Sequence, residues 1–312
     1  MTKVTSLFPT KRVILTLYVL IKGEKMKRTI FVIVSDLHGG HRHGLLNPAT
    51  ELHEYDEEGN IVKDFHPQLN PVQEYLWKIY TAQIDWIKKM SGTDDIVLCF
   101  NGDMTTGNFH DDLLTSDRMA DQIVIAMSNS EPWYELPNLK AVRYIKGTGV
   151  HVFGEGSSEL LLGLISSKSH PDVDCKVSDH SLLTVNGMQM DISHHGPPPG
   201  SRKWLEGNEC RYYLRDLMMR DLLEGKTPPR MVFRGHYHTY AQEQLTISNG
   251  TFHTSTLVLT PSFTFPNGYT RKVIKSPSRV THGMVVTEIV DGQPLKIHPL
   301  VKTIDIRTKE IL

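Results

Sequence analysis

Cysteine is the scarcest chemistry-bearing residue in this chain. There are three in 312 residues, Cys99, Cys175 and Cys210, and no two are close enough to form a Cys-x-x-Cys pair. That excludes a thiolate zinc site and a disulfide-stapled fold, and it suits a reducing compartment, so a cytoplasmic location is expected. Excess charge is also lacking: 34 Lys and Arg offset 35 Asp and Glu, a net charge of −1. No whole-molecule electrostatic funnel for nucleic acid follows from such a balance, although a local basic groove is still open to it. Long apolar runs are absent too. The longest N-terminal run, residues 13–21 (VILTLYVLI), falls short of the roughly 20 residues that span a bilayer. It sits behind Lys3, Lys11 and Arg12 as a signal peptide would, but the following KGEKMKR offers no small-residue cleavage site. Residues 1–25 are therefore expected to be an extension outside the core, and residues 26–312 a single domain with no membrane segment. Proline, glycine and aromatics occur at ordinary levels, with 39% hydrophobic residues, which excludes a disordered or fibrous chain.

Histidine, by contrast, is plentiful, at 16 residues. Any metal chemistry must then use imidazole and carboxylate. The histidines fall in a pattern. Ile30–Val34 (IFVIV) is a continuous β-branched run, the mark of a strand buried on both faces, and it ends in Ser35-Asp36-Leu37-His38-Gly39-Gly40. Asp95–Phe100 is a second such strand, ending in Asn101-Gly102-Asp103. Ala141–Lys146 ends in Gly147-Thr148-Gly149-Val150-His151. Ser181–Ser193 reads as a hairpin about Asn186-Gly187 and ends in His194-His195-Gly196. Met231–Phe233 ends in Arg234-Gly235-His236-Tyr237-His238.

Between these lie predicted helices. Asn70 caps one that begins at Pro71 and runs to about Met90, with Leu76, Ile79, Tyr80, Ile84 and Ile87 at helical spacing and Gly92 as its stop. Others are expected at about 117–128, 157–166 and 204–224. Residues 41–69 read as a long polar loop. The tail from Phe252 to Ile306 is strand-rich, with a turn at Asp291-Gly292.

In open α/β sheets the ligand site lies beyond the carboxyl ends of the strands. Asp36, His38, Asp103, His151, one of the His194-His195 pair, His236 and His238 would therefore meet at one sheet edge. Seven such groups exceed the needs of one tetrahedral ion and suit two metals sharing a carboxylate. Adjacent residues of a strand point to opposite faces, so at most one of His194 and His195 is expected to enter.

These blocks resemble the calcineurin-like metallophosphoesterase superfamily, whose pattern is D-x-H, G-D, G-N-H, a His usually followed by Gly, and G-H-x-H. The resemblance spans about residues 29–240, and the HHGPPPG and GTGVH segments resemble bacteriophage and prophage members most. It implies a four-layer α/β/β/α sandwich of two mixed sheets flanked by helices. It implies a centre of two divalent metal ions, foremost Mn²⁺, with Fe, Zn²⁺ or Ni²⁺ as alternatives. Carried over, Asp36, His38 and His238 would hold the first metal, Asp103 would bridge, and His195 and His236 would hold the second. His195 is chosen because it precedes Gly. The third block departs from the pattern: Thr148 stands where Asn belongs, so Thr148, His151 or Asn108 is left to supply that ligand. His151 is otherwise the acid for the leaving group.

The implied activity is hydrolysis of phosphate esters, foremost phosphodiesters, by a metal-bridging hydroxide. The substrate is then a phosphate ester, with nucleotides and nucleic acid among the options. A DNA nuclease of the same superfamily and a non-catalytic metal-binding scaffold are the alternatives. Arg202 and Arg234 flank the motifs; each could touch phosphate, with a surface salt bridge as the plainer reading. Arg211–Arg220 (RYYLRDLMMR) reads as a packed helix with a basic outer face, not a nucleic-acid surface.

Overall fold

A computed structural model of the chain describes residues 27–108, 113–154, 157–200, 203–266 and 278–310. The expected extension at 1–25 and the candidate Arg202 lie outside the described residues.

The apolar runs form strands as their composition demands. β1 (Arg28–Val34), β4 (Asp95–Asn101), β5 (Leu139–Ile145) and β6 (Asp174–Ser178) lie parallel. β12 (Arg279–Val290) and β13 (Gln293–Asp305) extend this sheet antiparallel, in the order β13-β12-β1-β4-β5-β6. A second sheet has the order β10-β11-β9-β8-β7, built from β7 (His180–Val185), β8 (Met188–Ser193), β9 (Met231–Arg234), β10 (Ala241–Ser248) and β11 (Phe252–Leu259). Its three central strands are parallel and its outer two antiparallel.

Strand alternation divides the core into layers. On one face of β1, Ile30, Val32 and Val34 pack against three helices: α1 (Pro71–Ser91), α2 (Met119–Tyr134) and α3 (Ser157–Ser169). On the other face, Phe31 and Ile33 meet Met190, Ile192 and Phe233 of the second sheet. Beyond that sheet, Val232, Leu257 and Leu259 are covered by Cys210, Leu214 and Met218 of α4 (Asn208–Leu223). The four layers are helices, sheet, sheet and helix, the expected sandwich. Burial on both faces is why the strands read as unbroken apolar runs. Among the described residues no helix is long and apolar enough to cross a membrane.

Several local expectations change. Residues 41–69 are not one loop: β2 (Leu52–Tyr55) and β3 (Ile61–Phe65) form a hairpin, closed by the Asn60 N–H donating to Asp56 Oδ1 at 2.7 Å. Leu52 is buried with Phe65 packed beside it, but Ile61 and Val62 are exposed, so too little of the hairpin is covered to write an alternating pattern into the sequence. α2 continues past Ser128 to Tyr134 through Pro132. Proline has no N–H for the Ser128 carbonyl, and Asn47 Nδ2 donates to that carbonyl instead at 2.7 Å. The helix expected at 204–224 is a 3₁₀ turn, Lys203–Leu205, followed by α4. Gly207 separates them at φ 89°, where its N–H donates to the Pro199 carbonyl. β6 and β10, both at sheet edges and mixed in polarity, have no signal strong enough to be expected.

The Asn70 cap is as expected. Its Oδ1 accepts from the N–H groups of Val72 and Gln73, and Gln73 Oε1 accepts from the Asn70 N–H in return. Asn70→Ala removes this box and should lower stability by about 1 kcal/mol in urea denaturation, with metal uptake unchanged. An unmoved midpoint would show that the cap does not hold α1.

Candidate metal centre

The carboxyl ends of β1, β4, β5, β8 and β9 converge. Backbone bonds lace the turns that follow: the N–H groups of Asp36, His38 and Gly39 donate to the carbonyls of Gly102, Asp103 and Met104, and Gly235 N–H donates to the His194 carbonyl. The approach is too close for side chains at two glycines. A Cβ on Gly102 would lie 2.4 Å from His194 Nδ1, and one on Gly147 would lie 2.1 Å from Asp103 Oδ1.

Asp36 and Asp103 are fully buried at the centre. Each carboxylate has one oxygen tied down. Asp36 Oδ2 accepts from Ser35 Oγ and from the His236 N–H at 3.2 Å, and Asp103 Oδ1 accepts from the Thr148 N–H at 2.6 Å. The other oxygens face the imidazoles. His38 Nε2 stands 3.9 Å from both Asp36 Oδ1 and Asp103 Oδ2, and His238 Nε2 is 3.1 Å from Asp36 Oδ1 and 3.2 Å from His38 Nε2. His194 Nε2 is 3.1 Å from Asp103 Oδ2 and 3.9 Å from Asp36 Oδ1.

Four overlapping sets, each with ligand atoms within 4.8 Å of one another, make up the cluster. They are Asp36-His38-His238, Asp36-Asp103-His194, His38-Asp103-His151 and His194-His195-His236.

The donor set fits divalent metal. Asp36 Oδ1 and His194 Nε2 are buried and make no hydrogen bond. His194 Nδ1 lies 2.6 Å from the Asn101 carbonyl and His151 Nδ1 lies 2.7 Å from the Thr106 carbonyl. A carbonyl only accepts, so each Nδ1 carries a proton and each Nε2 is directed elsewhere, as in metal-ligating histidines.

The backbone is strained at this place. Among the described residues, the non-glycine positions with positive φ are Asp36, His38, Asp103, His236, His238, Phe153, Asn186 and Asp291. Asn186 and Asp291 serve hairpin turns, so only Phe153 lies outside both turns and cluster. Left-handed non-glycine residues cost about 1–3 kcal/mol each and persist where the surroundings enforce them.

Charge is unbalanced in the same direction. Burial opposes ionisation of Asp36, yet His238 and His194 hold it below the usual range; Asp103 is likewise held well below by His194 against burial. His194, which burial alone would neutralise, is raised to about 10 by Asp103 and Asp36. His38 is pushed well below its usual value by burial and His151, and His236 to about 4 by burial and His194. Two carboxylates thus face the His194 imidazolium and the neutral rings of His38 and His236. Glu159, buried just behind, is raised to about 7 by burial and by the Asp103 charge.

All seven sequence-selected residues are in the cluster, but His194 is there as well. It is the more buried of its pair and the one nearest Asp103, whereas His195 sits at the exposed rim. The expectation that one alone enters rested on strand alternation, and β8 ends at Ser193, before either histidine. Asn108, the other amide candidate, is exposed. Arg234 does not form the surface salt bridge that its place in the sequence suggests. It is fully buried, with its guanidinium on the Tyr213 hydroxyl at 2.8 Å, on the carbonyls of Asp191 and Phe233, and on the Asp191 carboxylate.

No protein-family model and no curated protein sequence matches the chain. Structural neighbours are calcineurin-like metallophosphoesterases and related hydrolases. The calcineurin-like phosphoesterase YfkN from Bacillus subtilis is 12% identical over 90% of this chain and 92% of its own, with a TM-score of 0.31. A metallophosphoesterase from Sphaerobacter thermophilus is 10% identical over 90% and 89%, with a TM-score of 0.31. The sulfate thiohydrolase SoxB of Thermus thermophilus is 11% identical over 90% of this chain and 57% of its own, with a TM-score of 0.38. No residue's role is taken from them, and they give no support to a particular tie with phage proteins.

A metal ion coordinated by His194 Nε2 would displace the proton held there. The raised pKa contributes stability to the metal-free protein that is fully present below the ordinary histidine value near 6.5 and is lost as pH rises through about 10. Near neutral pH, loading should therefore release about one proton from His194, and affinity should rise with pH. Calorimetry in buffers of differing ionisation enthalpy measures this. Metal uptake without proton release would show that His194 is neutral beforehand.

Proposed function

We propose that this chain is a metal-dependent phosphoesterase acting on phosphodiesters. The observation that carries the reading is the pair of buried carboxylates, Asp36 of the D-x-H block and Asp103 of the G-D block, turned toward imidazole nitrogens of the D-x-H and G-H-x-H blocks. Asp36, His38 and His238 would hold one metal, Asp103 would serve both, and His194 and His236 would hold the other. Bound there, divalent cations would supply positive charge for phosphoryl oxygens and would acidify a coordinated water.

The remaining work falls to side chains. The lacing of the loops keeps the carboxylates in place as charge changes during the reaction. His151 is fixed through Nδ1 on the Thr106 carbonyl, and its ring stands edge-on to His38 with centroids 4.7 Å apart. As an imidazolium it would offer its Nε2 proton to the departing alkoxide. A nuclease role draws little from the surface of α4: Arg211 is paired with Glu243 at 2.8 Å and Arg220 with Asp216 at 2.7 Å.

His38→Ala and His238→Ala should each reduce bound metal and lower turnover of bis(p-nitrophenyl) phosphate by more than about 100-fold, since even residues that only orient ligands are worth 10–100-fold. Wild-type metal content together with wild-type turnover in either variant would remove the reading. His151→Ala tests the acid. It should slow an alkyl phosphodiester by about 10²–10⁴-fold and spare the nitrophenyl ester, whose leaving group needs no proton. Equal losses on both esters would deny His151 that part.

A further inference from the structure

The third motif block leaves the second metal pocket without an amide ligand, and the structure suggests what takes its place. Thr148 occupies the position, but its N–H is spent on Asp103 Oδ1, and its hydroxyl lies among rings, 3.3 Å from His195 Nε2 and 3.2 Å from His236 Nδ1. A threonine hydroxyl is a weak metal ligand and a good hydrogen-bond partner. The rings it touches are stronger ligands. His194, His195 and His236 bring ring nitrogens within 4.8 Å of one another, with centroids 4.8–5.5 Å apart.

His195 is held to this place by its neighbours. Ser193 Oγ donates to the His195 carbonyl at 3.1 Å. Gly196 lies so close to the buried Arg234 that a Cβ would stand 2.5 Å from its Cγ, and three prolines follow. The turn that releases the chain from β8 lets both histidines face the pocket.

We propose that His195 is a metal ligand in place of the missing amide, making the second pocket a three-imidazole and one-carboxylate site that prefers Zn²⁺ to Mn²⁺. Thr148 orients the His195 and His236 rings and does not bind metal. The first pocket, with Asp36, Asp103, His38 and His238, has two oxygen and two nitrogen donors. Exchanging an amide oxygen for imidazole favours the borderline ion and the tetrahedral geometry of zinc, while manganese favours oxygen donors. The second pocket should therefore discriminate for Zn²⁺ over Mn²⁺ more strongly than the first. This inference rests on the two-metal reading of the same site.

The test equilibrates the full chain with equal Mn²⁺ and Zn²⁺, desalts it and measures metal per chain, with visible absorption of the Co²⁺-loaded protein as a second readout. Wild type should keep two equivalents, at least one of them Zn²⁺, and show tetrahedral Co²⁺ bands. His195→Ala should lose one Zn²⁺ equivalent or weaken it at least about tenfold, and lose those bands. His195→Asn restores an amide and should recover the second equivalent with a shift toward Mn²⁺. Thr148→Ala should keep both. Circular dichroism confirms folding of each variant. Unchanged metal content and preference in both His195 variants would overturn the inference and leave the two-metal reading intact, as would loss of the same equivalent in Thr148→Ala. A wild type that binds no metal would overturn both.

Discussion

Two buried carboxylates facing a common space are the constraint on which the rest of this structure depends. Asp36 and Asp103 are shielded from water, and an uncompensated buried charge costs several kcal/mol even after relaxation. The ring nitrogens around them relieve this only partly. His194 takes a proton, while burial and mutual repulsion keep His38 and His236 neutral. Two buried carboxylates against one imidazolium leave the cluster short of positive charge, and a bound metal ion would supply it without more buried protons.

The fold is arranged to hold that unfavourable geometry. Parallel strands of both sheets deliver their carboxyl ends to one edge, and the inter-sheet core of Phe31, Ile33, Met190, Ile192 and Phe233 fixes the two sheets against each other. The turns leaving β1, β4 and β9 place Asp36, His38, Asp103, His236 and His238 in left-handed backbone conformations. Backbone bonds between turns enforce these conformations, as does the absence of a Cβ at Gly102 and Gly147. Arg234, buried directly beneath the G-H-x-H turn, ties it to Asp191 of β8 and Tyr213 of α4. A residue that reads as a surface or phosphate contact is instead a strut between layers.

What is legible in the sequence follows from how burial writes itself into residue type. Strands covered on both faces read as IFVIV and DIVLCF, and their ends announce the cluster because Asp, His and Gly follow them directly. The β2–β3 hairpin buries too little to leave a pattern, and α2 passes through Pro132 because Asn47, far away in the chain, satisfies the freed carbonyl. The His194-His195 pair was unreadable for a similar reason: alternation governs a strand, and the strand ends at Ser193, before either histidine. Gly147-Thr148-Gly149 departs from the superfamily pattern in its second and third letters, but only the distances from Thr148 to His195 and His236 show which side chains stand beside the gap.

Anomalous X-ray diffraction from crystals grown with divalent metal tests the central claim most directly. Data at the metal's absorption edge should show two peaks roughly 3.5–4 Å apart. Asp103 should lie between them, with Asp36, His38 and His238 around one and His194 and His236 around the other. A single peak, peaks elsewhere on the molecule, or an Asp36–Asp103 pair with no peak at saturating metal would contradict the account.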